Sequence, residues 1–411
     1  MTSVPEETGS PEEQAPPLPR LQLRDPLPPV IDTVDDYVAY CARLALGHGP
    51  VALDAERASG YRYSQRAYLV QVRRDGSGTG LVDPIAFDDL VDLDEAIGDA
   101  EWILHAATQD LPCLAEVGLH PTALFDTELA GRLLNLPRVG LASLVEHYLG
   151  LSLAKEHSAA DWSTRPLPEP WLEYAALDVE VLIELRNLIE ADLERAGKRE
   201  WAAQDFEALL SFTGAPPKEE RWRRTSGIHR ARGRRTLGLV RALWEARDRI
   251  AEQRDTTPGR ILPDAAILEI AREAPRDAST LRNLPVMRSR GPRRFLQQWL
   301  DAVEEGLALP DDALPLSTQH REGPPPPRAW ADKHPEAAAR LTAAREAVTR
   351  IAEQHDLPPE NLISPGLVRG LAWDPPTVVD VVHVGDALSE GGARPWQVEL
   401  VAADLVDALT P

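Results

Sequence analysis

The chain has 411 residues, 43% of them hydrophobic, enough for two or three domains with real cores. No stretch approaches the roughly 20 consecutive apolar residues of a membrane span, and the N-terminus has no basic region leading into an apolar one. Cys41 and Cys113 lie far apart without metal-ligand spacing, so buried thiols in a cytoplasmic protein are expected rather than a disulfide framework or a zinc site.

Residues 1–30 mix Pro and Glu with few large apolar groups and read as a disordered acidic arm. Residues 31–212 then alternate β-rich runs with helical patterns. "PVALDAE", "AYLVQVRR" and "TGLVDP" read as strands, followed by "AEWILHAA" and then helices. The glycines of "RRDGSGTG" join two strands in a hairpin and open no helix, so they do not make a dinucleotide fingerprint. No P-loop motif occurs, and no nucleotide cofactor is expected. The short turns require antiparallel pairing early, and the later strand–helix alternation favours parallel additions, giving a mixed α/β sheet flanked by helices.

The rest of the chain reads as helical: a basic linker over 213–232, a helical domain over 233–312, a Pro-rich spacer over 313–330 and a second helical domain over 331–411. "RIAEQRDTTPGRILPDAAILEIA" from Arg249 matches "RIAEQHDLPPENLISPGLVRGLA" from Arg350 at a constant offset of 101 residues. That period exceeds the usual solenoid unit, so these are two similar domains. Their charges differ. Lys218 to Arg294 carries 20 Lys and Arg against 10 Asp and Glu, a local +10 within a net −22, whereas Asp332 to Asp407 carries 6 against 13. The basic module predicts a phosphate-tracking surface, with Arg232, Arg234 and Arg235 as candidate contacts. The acidic repeat is expected to pack against the protein or shape the entry to its site.

Five D-x-E pairs occur, beginning at Asp54, Asp126, Asp178, Asp192 and Asp205. In a strand, residues i and i+2 share a face, so Asp54 and Glu56, after the apolar run Val51–Leu53, set two carboxylates side by side at a strand end. Such a pair resists ionising unless a cation compensates. Asp110 in "HAATQDL" stands near a helix start. Tyr174 and Asp178 in "EYAALDVEV" sit four apart on one helix face.

The order D-x-E, Asp110, Y-x-x-x-D, on an α/β domain followed by basic helices, resembles the DEDDy 3′→5′ exonucleases, ribonuclease D most closely. "YRYSQRAYLVQV", "LVDP", "HAATQDL" and "DWSTRPLPEPWLEYAALDV" agree with it, and the two repeats look like HRDC domains. The resemblance implies a ribonuclease-H-like sheet carrying two divalent ions, Mg²⁺ or Mn²⁺, roughly 4 Å apart. It implies that Asp54 bridges both ions, that Glu56 and Asp178 hold the one beside the attacking water, that Asp110 serves the second, and that Tyr174 positions the water. Arg57, Gln65 and Arg165 are candidate substrate contacts. His105 has a structural role at least as readily as a chemical one, and Asp126 matches a position that supports the site.

The function implied is metal-dependent 3′→5′ trimming of structured RNA, such as tRNA precursors, with release of nucleoside 5′-monophosphates. A DNA repair exonuclease and a catalytically dead RNA-binding adaptor are the alternatives. No self-complementary apolar helix stands out, so a monomer is expected.

Overall fold

The computed structural model describes residues 17–153, 157, 159–216, 219–317 and 323–410. Six strands form one sheet: β1 (Val30–Ile31), β2 (His48–Arg57), β3 (Ala67–Asp75), β4 (Gly78–Val82), β5 (Trp102–Leu104) and β6 (Leu124–Asp126), in the order β1-β4-β3-β2-β5-β6. β2, β3 and β4 pair antiparallel, while β5, β6 and β1 add in parallel. This is the mixed sheet expected from the turn lengths. Gly76, at φ 87, permits the tight β3–β4 turn. Gly80 lets the helix Val34–Ala45 come close, since a Cβ there would stand 2.3 Å from the Tyr40 ring.

The helix Val34–Ala45 covers one face of the sheet with Tyr37, Tyr40 and Leu44. The helix Glu169–Glu180 covers the other, lying across β2, β3 and β4. This second face carries the functional side chains.

The expectation of a disordered arm over 1–30 fails for residues 17–30, and residues 1–16 lie outside the described residues. Leu21 is buried, and its amide donates to the Ser152 carbonyl at 2.9 Å. Leu23 and Leu27 pack on the same body. Arg24 reaches the buried Glu180 at 3.6 Å, which Arg73 also approaches at 3.3 Å. These side chains and the backbone pairing of Pro19 and Leu21 with Ser152 hold the segment, whose prolines leave it less chain entropy to lose.

Both repeats are helical, and their helix boundaries keep the offset of 101 except the last, which falls one residue short. Arg234–Gln253, Pro258–Ile261 and Asp264–Glu273 correspond to Pro335–Gln354, Pro359–Leu362 and Pro365–Trp373. The corner after each long helix is a left-handed aspartate, Asp255 at φ 43 and Asp356 at φ 50. The basic stretch before the first repeat is more than a linker: Trp222 is 3% exposed and belongs to that repeat's core. The Pro-rich spacer is pinned at both ends, by Arg234 donating to the Leu314 carbonyl at 2.7 Å and by Trp330 Nε1 donating to the Pro325 carbonyl at 2.7 Å.

Candidate active site

Alternation along β2 sends Leu53 and Ala55 into the core under the helix Val34–Ala45 and turns Asp54 and Glu56 to the opposite face. The pairing with β3 shifts register between Glu56 and Arg57, which ends the regular ladder there. β5 runs parallel to β2 and leads into a turn where Ala106 adopts φ 60. Asp110 follows at the start of the helix Leu111–Ala115 and makes no capping bond of its own. The helix Glu169–Glu180 brings Tyr174 and Asp178 across from above. All five side chains line one cleft of 400 Å³ beyond the carboxyl end of β2, with Arg57, His105, Gln109 and the segment Gly140–Ser143 completing its walls.

One carboxylate oxygen from each of Asp54, Glu56 and Asp178 lies within 4.8 Å of the other two. Asp110 stands outside that trio, with the Arg57 guanidinium 3.7 Å from its Oδ1.

The electrostatics follow from enclosing four acids. Burial pushes Asp54 up to about 6, against the Ala55 amide and Arg57. Glu56 is pushed up to about 10 by burial, then by the charges of Asp54, Asp178 and Asp110, with Arg57 opposing. Burial and then Asp54 raise both Asp110 and Asp178. Burial and the charges of Asp178, Glu56 and Asp54 keep the Tyr174 phenol protonated. With its own charges alone the cluster cannot ionise fully near neutral pH. Divalent cations would offset the repulsion, and an all-oxygen donor set suits Mg²⁺ or Mn²⁺.

Asp126 takes a supporting position. It accepts from the amides of Ala106 and Ala107 at 3.1 and 2.9 Å and from those of Glu128 and Leu129 at 2.8 and 3.1 Å, fixing the turn that delivers Asp110. His105 Nδ1 bonds the Thr127 hydroxyl at 2.9 Å, and burial lowers its pKa while Asp126 and Glu128 oppose. In the helical D-x-E at Asp178 the two acids diverge, and Glu180 turns away to Arg73 and Arg24.

Several candidate contacts already hold partners within the protein. Arg165 spends all five N–H groups on protein: two on Asp83, at 2.5 and 2.7 Å, and three on the carbonyls of Trp162, Thr164 and Tyr68. None is left for a phosphate. Arg234 and Arg235 fasten the chain that follows the helix Leu296–Ala308, donating to the carbonyls of Leu314, Pro315, Leu307 and Leu309, with Arg235 also paired to Asp311 at 2.8 Å. The Gln65 amide closes its own loop onto Ser59, Tyr63 and Ser64. Arg232 is exposed and makes no ion pair among the described residues, and Arg57 does line the cleft.

Sequence reasoning passed over Gln71. It is fully buried, pairs across the sheet from Asp54, and finds no partner for either amide atom. The signal was one polar residue inside the apolar run "AYLVQV".

Comparisons with known proteins agree with this arrangement. Residues 29–194 match the 3′→5′ exonuclease family, residues 236–303 the HRDC domain, and residues 323–409 a family described as the 3′ to 5′ exonuclease C-terminal domain. The ribonuclease D of Gluconacetobacter diazotrophicus is 33% identical over 85% of this chain and 87% of its own. The Escherichia coli ribonuclease D is 32% identical over 69% and 76%. A solved protein from Bifidobacterium adolescentis superposes with a TM-score of 0.89 at 41% identity, over 96% of this chain and all of that one. The structure of E. coli RNase D, described as an exoribonuclease involved in structured RNA processing, gives a TM-score of 0.66 at 26% identity over 93% and 98%.

Proposed function

The chain belongs to the ribonuclease D family and is a 3′→5′ exoribonuclease, and we propose that it trims the 3′ ends of structured RNA, tRNA precursors among them, at a centre made of Asp54, Glu56, Asp110, Asp178 and Tyr174. The observation that carries this reading is the trio of carboxylates within 4.8 Å of one another, with a fourth acid and a protonated phenol in the same cleft. Asp54, Glu56 and Asp178 would hold one divalent ion, and Asp54 with Asp110 a second, each Mg²⁺ or Mn²⁺. When bound, such ions lower the pKa of water and stabilise charge on the oxygens of the reacting phosphodiester.

The chain's own groups do the rest. Tyr174 keeps its O–H at neutral pH, and its oxygen can also accept from an attacking water, so it holds that water in line with the scissile phosphate. Arg57, beside Asp110, offsets negative charge at the far wall and faces the incoming backbone. The product is a nucleoside 5′-monophosphate, one per cycle. We further propose a monomeric, cytoplasmic enzyme; no described helix is long and apolar enough to cross a membrane.

The test is mononucleotide release from a 3′-tailed RNA hairpin and its DNA counterpart, with Mn²⁺ or EDTA. Wild type should release 5′-monophosphates from RNA only with metal. Asp54→Asn should abolish release, and Tyr174→Phe should slow it on the order of 10²-fold. Faster cleavage of DNA would reassign the substrate. Undiminished cleavage by Asp54→Asn would remove the carboxylate centre from the reaction.

A further inference from the structure

A second cleft, of 470 Å³, lies in the basic module, away from the carboxylates. Arg221, Arg224, Thr225, Trp244 and Arg247 line it, with Asp264 at its wall. Its construction begins with the short 3₁₀ turn Arg221–Arg224, in which residues three apart eclipse one another. Trp222 anchors that turn in the repeat's core, so Arg221 and Arg224 emerge together on the outer side, both exposed. The facing wall is the helix Arg234–Gln253. Trp244 and Arg247 are one turn apart there, and Arg221 and Arg247 lie over the indole at 5.2 and 5.8 Å.

Arg247 is only 5% exposed. It donates to the Leu262 carbonyl at 3.0 Å and to Asp264 at 2.6 Å, but its Nε has no acceptor. Asp264 accepts from two sides, from the charged Arg247 and from the Ser226 amide at 2.7 Å. Arg221 shares Asp248 at a loose 3.5 Å, and Arg224 has no carboxylate partner among the described residues. Three guanidinium groups thus meet two carboxylates, Asp264 and the more distant Asp248, around an aromatic ring over which two of them lie. An anion of phosphate geometry suits such a site, because guanidinium forks match its oxygens, Arg224 has no carboxylate partner among the described residues and the Nε of Arg247 has no acceptor.

The cleft is coupled to the catalytic sheet. Tyr63, in the loop that leaves β2 just after Glu56 and Arg57, donates its hydroxyl to Asp248 at 3.1 Å, and Asp248 in turn meets Arg221. Arg260, next to the cleft-lining Pro258, stacks over Tyr61 of the same loop at 4.2 Å.

We propose that the cleft formed by Arg221, Arg224, Thr225, Trp244 and Arg247 is a phosphate site for the RNA backbone, gripping the body of the substrate while its 3′ end lies among the carboxylates. The inference rests on the exoribonuclease reading. It adds a defined anchoring point in place of a diffuse basic surface.

The test measures binding without cleavage. Full-length protein is titrated in EDTA against a fluorescent 3′-tailed RNA hairpin, by anisotropy, over about 50 to 200 mM salt. The double variant Arg221→Ala/Arg224→Ala should weaken binding on the order of tenfold and reduce the slope of log K against log salt by about two. Arg224→Lys should keep the wild-type slope, and Arg345→Ala, on the exposed face of the acidic repeat, should change neither quantity. An unchanged affinity and slope in the double variant, with wild-type circular dichroism, would overturn the site. Displacement of the hairpin by a nucleoside 5′-monophosphate in wild type but not in the double variant would assign the cleft to free nucleotide instead and overturn the backbone reading. Wild-type hydrolysis of a trinucleotide with Mn²⁺ is measured in parallel. Its failure would strike the catalytic assignment alone, because the binding arm contains no metal.

Discussion

The two helical repeats share their helix boundaries and their left-handed corner aspartate, yet they join the exonuclease sheet in different ways. The first keeps a core of its own, into which Tyr63 alone of the described exonuclease residues packs. Its corner binds by polar contacts: Asp255 accepts from the amides of Tyr63 and Ser64 at 3.1 and 2.8 Å and from the Tyr68 hydroxyl at 3.2 Å. The second shares one continuous core with the exonuclease helices, running from Leu144 and Leu185 to Val384 and Leu405. Trp201 stacks on Trp396 at 4.8 Å across that boundary, and the buried Lys198 donates to the carbonyls of Leu133 and Asp356. A duplicated fold with a duplicated docking corner therefore does not fix how tightly a module is integrated; the apolar area behind the corner does.

The largest effect that tests this contrast is Trp396→Ala. Removing a side chain 2% exposed should cost about 3–5 kcal/mol and lower the urea midpoint of the exonuclease and the second repeat together. A separate transition for the second repeat, with the exonuclease midpoint unmoved, would break the shared core apart.

Next is Asp255→Asn, which keeps a residue tolerant of the left-handed conformation and removes the charge that three donors meet. It should loosen the first repeat by about 1.5–3 kcal/mol, seen as faster hydrogen exchange at the Tyr63, Ser64 and Thr257 amides with the global midpoint unchanged. Asp356→Asn should do less, about 0.5–1.5 kcal/mol, because its side chain meets only the exposed Asn135 amide at 2.7 Å and its carbonyl remains in place for Lys198.

The smallest effect is a difference in pH response. Burial pushes Asp205, which faces Arg394 at 3.2 Å in the second interface, up to about 6, against Arg394 and Trp396. A folded pKa above the unfolded value of about 3.9 disfavours the folded state once pH exceeds that value, and fully above 6, so the second interface should tighten as pH falls from 7 to 5. Burial also acts upward on Asp255, but the Ser64 amide and hydroxyl, Tyr68 and Arg62 outweigh it and lower the pKa. Its contribution is present above the unfolded value and is lost only as pH falls through the folded one, so the first interface should not change between pH 7 and 5. Hydrogen exchange at both interfaces across that range checks the contrast.

Much of this was legible in the sequence where a period of two or of 3.6 fixes a side chain's face. Asp54 with Glu56, and Tyr174 with Asp178, fall where strand and helix spacing put them, and the offset of 101 carries over to the helix boundaries. What was misread were residues whose partners come from elsewhere in the chain. Sequence shows the charge of Arg165, Arg234 and Arg235 but not the carbonyls and carboxylates that take every donor of the first and some donors of the other two. It shows the prolines around Leu21, Leu23 and Leu27 but not the grooves that receive those leucines. Gly140–Ser143 and Gln109 reach the cleft only through packing, and no local pattern marks them.

The strand order has one more consequence, for association between copies. The outer strands, β1 and β6, have two and three residues, while the ten-residue β2 and nine-residue β3 lie inside. β6 is also backed by the helix Arg199–Leu210 through Phe125 and Phe206, whose rings lie 4.8 Å apart. A second chain approaching either margin finds too few free N–H and C=O groups to template a ladder, so the long strand that bears the acids is kept from edge-to-edge aggregation by the brevity of its outermost neighbours.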